Sequence, residues 1–197
     1  ALITVVSLSV GVLGGMVGLA LGTMRLPVLL LLGFPAPVAG GTNILVSTMS
    51  AMAGSVHHLG DRRVDWRTIR LMGPPSVAGA LVGGLLAGAV PSALLIGVAG
   101  AFVFWQGIEF LAKTRLATLS QVQRESMTSP MSLPVSQAAL GLTVGLIGGA
   151  VGLILGSIRL PAMIRLFGIK PREAAGTNLF IGSMVGFAGF IGHGIRG

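Results

Sequence analysis

An all-α fold is predicted: a polytopic transmembrane helical bundle built from two internal repeats, with broken or kinked helices. Three observations carry the prediction. Of 197 residues, 53% are hydrophobic and 9% charged, with a mean hydropathy of +0.92. Soluble domains carry about 25% charged residues, so these charges are too few to cover an aqueous surface. Glycine supplies 32 residues, set in apolar stretches without a Gly-X-Y period, as in helices that pack backbone to backbone in lipid. Finally, a block recurs: GVLGGMVGLALGTMRLPVLLLL at 11–32 and GLIGGAVGLILGSIRLPAMIRL at 145–166, identical at 12 of 22 positions.

The same arithmetic excludes several function classes. There is no cysteine, hence no disulfide framework, thiol redox chemistry or Cys-ligated metal. The net charge is +8. Its basic residues fall mostly at the ends of apolar segments rather than on one soluble face, which argues for membrane topology and against nucleic acid. No HExxH or GxSxG motif is present and carboxylates within the apolar stretches are nearly absent, so an enzyme is not expected. Neither a cofactor nor a metal is expected: His58 and His193 would make too small a ligand set for zinc.

The elements follow in order. Residues 1–32 lack a basic n-region and a cleavage pattern, and read as mature membrane sequence with a trimmed N-terminus. As one helix they would span about 48 Å, beyond a core of about 30 Å, so a break is expected at Gly22–Pro27. Gly33–Pro37 reads as a turn, and Val38–Leu59 as a second membrane segment. Gly60–Arg70 is polar, Leu71–Ala89 a glycine-rich third segment, Val90–Ser92 a short uncharged loop and Ala93–Ala112 the fourth segment. Pro134–Leu155, Leu160–Phe167 and Ala174–Gly192 complete the series. The domain reading is a first repeat over 1–112, a polar linker over 113–134 and a second repeat over 135–197. The second repeat stops near the equivalent of Arg62, without counterparts of the third and fourth segments. A fragment is the expected reading, completion by a partner subunit the alternative. Two crossings separate the basic 60–70 loop from the basic 113–133 linker, so both are expected on the cytoplasmic side of the inner membrane.

The repeat resumes after one inserted residue. Gly41-Thr42-Asn43 matches Gly176-Thr177-Asn178, and His58 matches His193. Repeats in an apolar chain point to a transporter whose site lies at the repeat interface, on broken helices. A returning hairpin at the start of each repeat would make the two inverted, whereas one long kinked helix would make them parallel; the sequence leaves both open.

The candidate site residues are polar groups in apolar surroundings. Arg25 and Arg159 sit at equivalent places with no carboxylate nearby in sequence. An intramembrane arginine costs about 2.5–3.5 kcal/mol on insertion scales, so an anionic substrate is a fitting counter-ion, against snorkelling to lipid phosphate. Pro27 and Pro161 are expected at the first position of a following half-helix, with its free N–H groups near the arginines. Thr42, Asn43, Thr177 and Asn178 offer donors to a substrate or to neighbouring helices. His58 and His193 suit proton relay or substrate contact, against simple interfacial placement. Glu109 is expected at the interface, near Lys113.

At these residues the chain resembles the sulfite exporter TauE/SafE family, the toluene sulfonate uptake permeases. The resemblance rests on Gly14-Gly15-Met16-Val17-Gly18 to Pro27 followed by Gly41-Thr42-Asn43, and on Gly148-Gly149-Ala150-Val151-Gly152 to Pro161 followed by Gly176-Thr177-Asn178. The run His57–Trp66 is similar to the family's loop after its first such helix. The chain departs at Arg25 and Arg159, where similar proteins carry an apolar residue. The resemblance implies transport, with export expected, of sulfite, organosulfonates or a related organic acid. The substrate would be held between the repeats by the paired arginines and the Thr-Asn groups. A non-transporting membrane subunit or an anion channel component is the alternative. Expected partners are the small anion and the lipid bilayer, with no nucleic acid; a homo-oligomer is compatible with the glycine-rich helices.

Overall fold

A computed structural model describes residues 22–61, 63–91 and 134–196, and most positions between 93 and 108. The expectations for residues 1–21, Glu109 and the linker at 113–133 lie outside the described residues. Among the described residues the chain is helical without strands. Its helices are α1 (Gly22–Leu31), α2 (Ala36–Gly60), α3 (Trp66–Ala87), α4 (Pro134–Val151), α5 (Gly156–Arg165) and α6 (Pro171–Arg196). Trp66–Ala87, Pro134–Val151 and Pro171–Ile195 are each long and apolar enough to cross a membrane. Helices α2 and α6 start 135 positions apart.

Glycine decides how the helices meet. On α3 and α4 the partners rise together in number: Gly141 lies against Met72, Gly145 against Ser76, Gly149 against Ala80, and Gly83 against Leu146. The two helices are therefore parallel, and their backbones touch wherever a side chain would have intervened. Helix α6 runs the same way beside α3. The Trp66 ring packs edge-on against Phe180, with centroids 5.6 Å apart, and Gly84 meets the Gly189 carbonyl further along. Helix α2 runs opposite to α6: Gly41 lies by His193, Ile44 by Gly189, Thr48 by Gly186, Leu179 by Gly54, and His58 by Gly176. A buried cluster of Ile69, Met72, Ala80, Met163, Ala174, Ile181 and Val185 fills the space between α3, α5 and α6.

Helix α3 starts at Trp66, five residues before the expected segment, because Asp65 caps it. The Asp65 carboxylate accepts from the Arg67 N–H at 3.0 Å and from the Thr68 hydroxyl at 2.7 Å. Asp65→Ala should therefore cost about 1 kcal/mol, readable as a lowered midpoint in thermal unfolding. An unchanged midpoint would mean that α3 is positioned by packing alone.

The break in the second half falls earlier than Pro161. Helix α4 ends at Val151, where Gly152 adopts φ +77 and Leu153 N–H donates to the Gly148 carbonyl at 2.8 Å. This is a glycine C-cap of the Schellman type. Residues 153–155 are then non-helical yet buried. Their neighbours on α6 descend in number: Gly149 lies at His193, Ile154 at Gly186 and Gly182, and Gly156 at Asn178. The chain thus enters with α4, turns at Gly152 and returns through α5 toward the end where α4 began. Of the two arrangements left open by the sequence, this half has the returning hairpin. Pro161 lies inside α5 and Pro27 inside α1, so neither opens its half-helix. A left-handed glycine stops a helix without clash, whereas these prolines follow one and a half turns of helix whose direction is already set.

Candidate anion site at the helix break

Arg159 sits in the first turn of α5, on the face that carries Gly156 and Met163, all three buried. Gly156 lies against the Asn178 amide, whose nitrogen is 2.8 Å from the place a Cβ would take, and Met163 belongs to the central cluster with Ala174 and Ile181. The guanidinium is 0% exposed, and its Nε, Nη1 and Nη2 have no hydrogen-bond partner among the described residues. A buried guanidinium normally carries a carboxylate or several carbonyls, because five N–H donors would otherwise go unsatisfied. On α6, Asn178, which lies against Gly156, is 3% exposed, and its Oδ1 has no partner among the described residues. Arg25 is half-buried at the corresponding place on α1, with Nη1 buried and unpartnered. The N-terminus of α5 has Leu155 as its cap residue, without a side-chain cap hydrogen bond.

The other sequence candidates are placed differently. The Asn43 Nδ2 donates to the Gly152 carbonyl at 2.9 Å, and His193 Nε2 donates to the Gly149 carbonyl at 2.9 Å. Both therefore supply donors to backbone carbonyls freed where α4 ends, which a membrane interior requires. Thr177 accepts the Asp65 N–H at 2.8 Å and so ties the 61–65 loop to α6, while Thr42 is exposed. His58 packs against Gly176 and keeps a buried, unpartnered Nδ1. Ser47 was not a sequence candidate. It is buried with an unpartnered hydroxyl, and its signal was its position one turn after Asn43 in an apolar helix.

At the end where α3 and α6 start, a cleft of about 490 Å³ is lined by Arg63, Lys170, Pro171, Arg172 and Glu173. Arg63 pairs there with Asp61 at 3.1 Å, and His57 stands 3.9 Å from the same carboxylate. Neither Arg25 nor Arg159 lines this cleft. Among the described residues no cluster of three or more His, Cys, Asp or Glu could hold a metal ion.

Comparison with known proteins gives a consistent result. The chain is 23% identical to the probable membrane transporter protein YunE of Bacillus subtilis, over 100% of this chain and 78% of that protein. It is 21% identical to a probable membrane transporter protein of Haemophilus influenzae, over 95% of this chain and 70% of that one. A third relative is the probable membrane transporter protein YjnA of Bacillus subtilis, 25% identical over 90% of this chain and 72% of the relative. No solved structure is significantly similar. The family model for the sulfite exporter TauE/SafE matches residues 3–197. With apolar helices of spanning length and a family match from end to end, the chain is a membrane transporter and belongs to the sulfite exporter TauE/SafE family.

Proposed function

We propose that this transporter carries a small sulfur-containing oxyanion, such as sulfite or an organosulfonate, out of the cell, and binds it at Arg159. The observation that carries the proposal is a fully buried guanidinium without a partner, among the described residues, on any of its three nitrogens. Guanidinium presents paired N–H donors that match two oxygens of a sulfite or sulfonate group. The N-terminal end of α5 adds a favourable helix dipole, and the Asn178 amide stands beside it. Arg25 is the equivalent group on the other half, and His58 faces the same half of α6 through Gly176. Asn43, His193 and Thr177 act as braces that hold the break and the loop in place for binding, and Thr42 serves as an accessible donor on the α2 surface.

The membrane orientation follows from charge. Arg63, Arg67, Arg70, Arg165, Lys170 and Arg172 gather at the end where α3 and α6 begin, which we assign to the cytoplasmic side of the inner membrane. An inside-negative potential then drives an anion outward by about 2.3 kcal/mol per charge per 100 mV. The antiparallel crossing of α2 and α6 and the returning α4–α5 pair support inverted repeats, which alternate access by rocking about a fixed central site.

Calorimetric titration of the purified protein with sulfite and with a short sulfonated acid tests the proposal. The native chain should bind one of them, Arg159→Ala should abolish binding while the helical content is retained, and Arg25→Ala should weaken it. Unchanged binding in Arg159→Ala would remove the arginine from the site.

A further inference from the structure

We propose that the break between α4 and α5 also holds a monovalent alkali cation, coordinated by Asn43 Oδ1, Ser47 Oγ and backbone carbonyls at the C-terminal end of α4. Gly40, Asn43 and Ser47 lie at i, i+3 and i+7 of α2, a single stripe of the helix. The first two residues of that stripe face the break, and Ser47 follows one turn after Asn43. A Cβ on Gly40 would lie 3.3 Å from the Val151 carbonyl oxygen, and Asn43 reaches the Gly152 carbonyl through Nδ2.

Two oxygens on the stripe have nothing to bind. Asn43 is 0% exposed and Ser47 2%, and both Asn43 Oδ1 and Ser47 Oγ lack a partner among the described residues. The Asn43 amide cannot be reversed to supply a donor, because Nδ2 already serves Gly152 and a reversal would set two acceptors face to face. Ser47 also behaves unlike three other hydroxyls of its helix. Thr48 donates back to the Ile44 carbonyl at 2.6 Å, Ser50 to Val46 at 3.0 Å and Ser55 to Met52 at 2.8 Å. The buried Ser47 makes no such bond.

The chemistry of the site selects a small cation. Its atoms are oxygens carrying lone pairs, which repel an anion. They lie where the carbonyls of α4 end, the negative pole of that helix. All of them are uncharged, and no carboxylate stands among them, which suits a single positive charge and disfavours Mg²⁺ or Ca²⁺, whose sites are built around carboxylates. Oxygens of this kind, from unwound backbone and side chains at a broken helix, are what coupling-ion sites use. An ordered water could satisfy the same two atoms, and it would be indifferent to the identity of the salt.

Thermal unfolding of the full chain in lipid nanodiscs tests the site. The salt is NaCl, KCl or N-methylglucamine chloride at one ionic strength, so that chloride is constant. The native protein should show a saturable rise in Tm with sodium or potassium over N-methylglucamine. Ser47→Ala should need about tenfold more cation for half its effect, whereas Ser50→Ala, on the exposed side, should titrate like the native chain. Equal Tm in all three salts would overturn the proposal, as would a native-like titration in Ser47→Ala. No sulfur anion is present in this experiment, so its outcome is separate from the reading of Arg159.

Discussion

Arg159→Met should give a protein that is more stable than the native one and no longer binds the anion. The native guanidinium is buried on the same helix as Met163, without a partner among the described residues. Removing a charge from water costs several kcal/mol, and no group among the described residues offsets it. Methionine has a similar reach and fills irregular gaps. The substitution should therefore raise the unfolding free energy by about 1–4 kcal/mol, as replacement of buried ionic groups by apolar ones often does. The native protein should approach the variant's stability only when saturating anion is present. Denaturation of both proteins with and without sulfite measures this. A variant less stable than the native chain in the absence of anion would mean that the guanidinium is already satisfied, and the anion site would fall with it.

Gly145→Val should prevent folding altogether. A Cβ at Gly145 would overlap the Ser76 carbonyl, and Gly83 and Gly149 meet Leu146 and Ala80 in the same way along the α3–α4 seam. These contacts are with backbone, which cannot rotate aside, so the helices must separate. Overpacking commonly costs 1–3 kcal/mol per site, and here it also removes the close contact that replaces a hydrophobic drive in lipid. The expected readout is loss of the monodisperse peak in size-exclusion chromatography. Gly97 offers the contrast, since nothing among the described residues lies within 4 Å of a Cβ there. Gly97→Ala should be neutral or gain about 0.5–1 kcal/mol from helix propensity. A monodisperse Gly145→Val protein would show that α3 and α4 do not rely on backbone contact.

The membrane class, the transporter reading and the family were legible in the letters. Hydropathy and charge count are sums over residues, and a duplicated block is a pattern in one dimension; neither needs a third. The arginines were legible for the same reason, because a charge in an apolar run conflicts with its surroundings before any packing is known. The glycine content pointed to close helix contact but not to which glycines make it.

The fates of the polar residues were a matter of packing. Gly41-Thr42-Asn43 and Gly176-Thr177-Asn178 are the same three letters, yet Thr42 is exposed while Thr177 holds the Asp65 N–H. Asn43 reaches the Gly152 carbonyl, whereas Asn178 stands against Gly156. The difference comes from what packs there: the 61–65 loop on α6, and the end of α4 on α2. In the second half the break falls at Gly152, a left-handed glycine whose cap is closed by the Leu153 N–H, and Asn43 and His193, from helices over a hundred and about forty residues away in sequence, add donors to the carbonyls there. Ser47 was invisible for a related reason: a serine in an apolar helix normally bonds its own backbone, and only its neighbours in space decide that this one does not. Composition and repetition are sums over the chain, but a hydrogen bond belongs to a pair of atoms, and in this protein the fold chooses the partner.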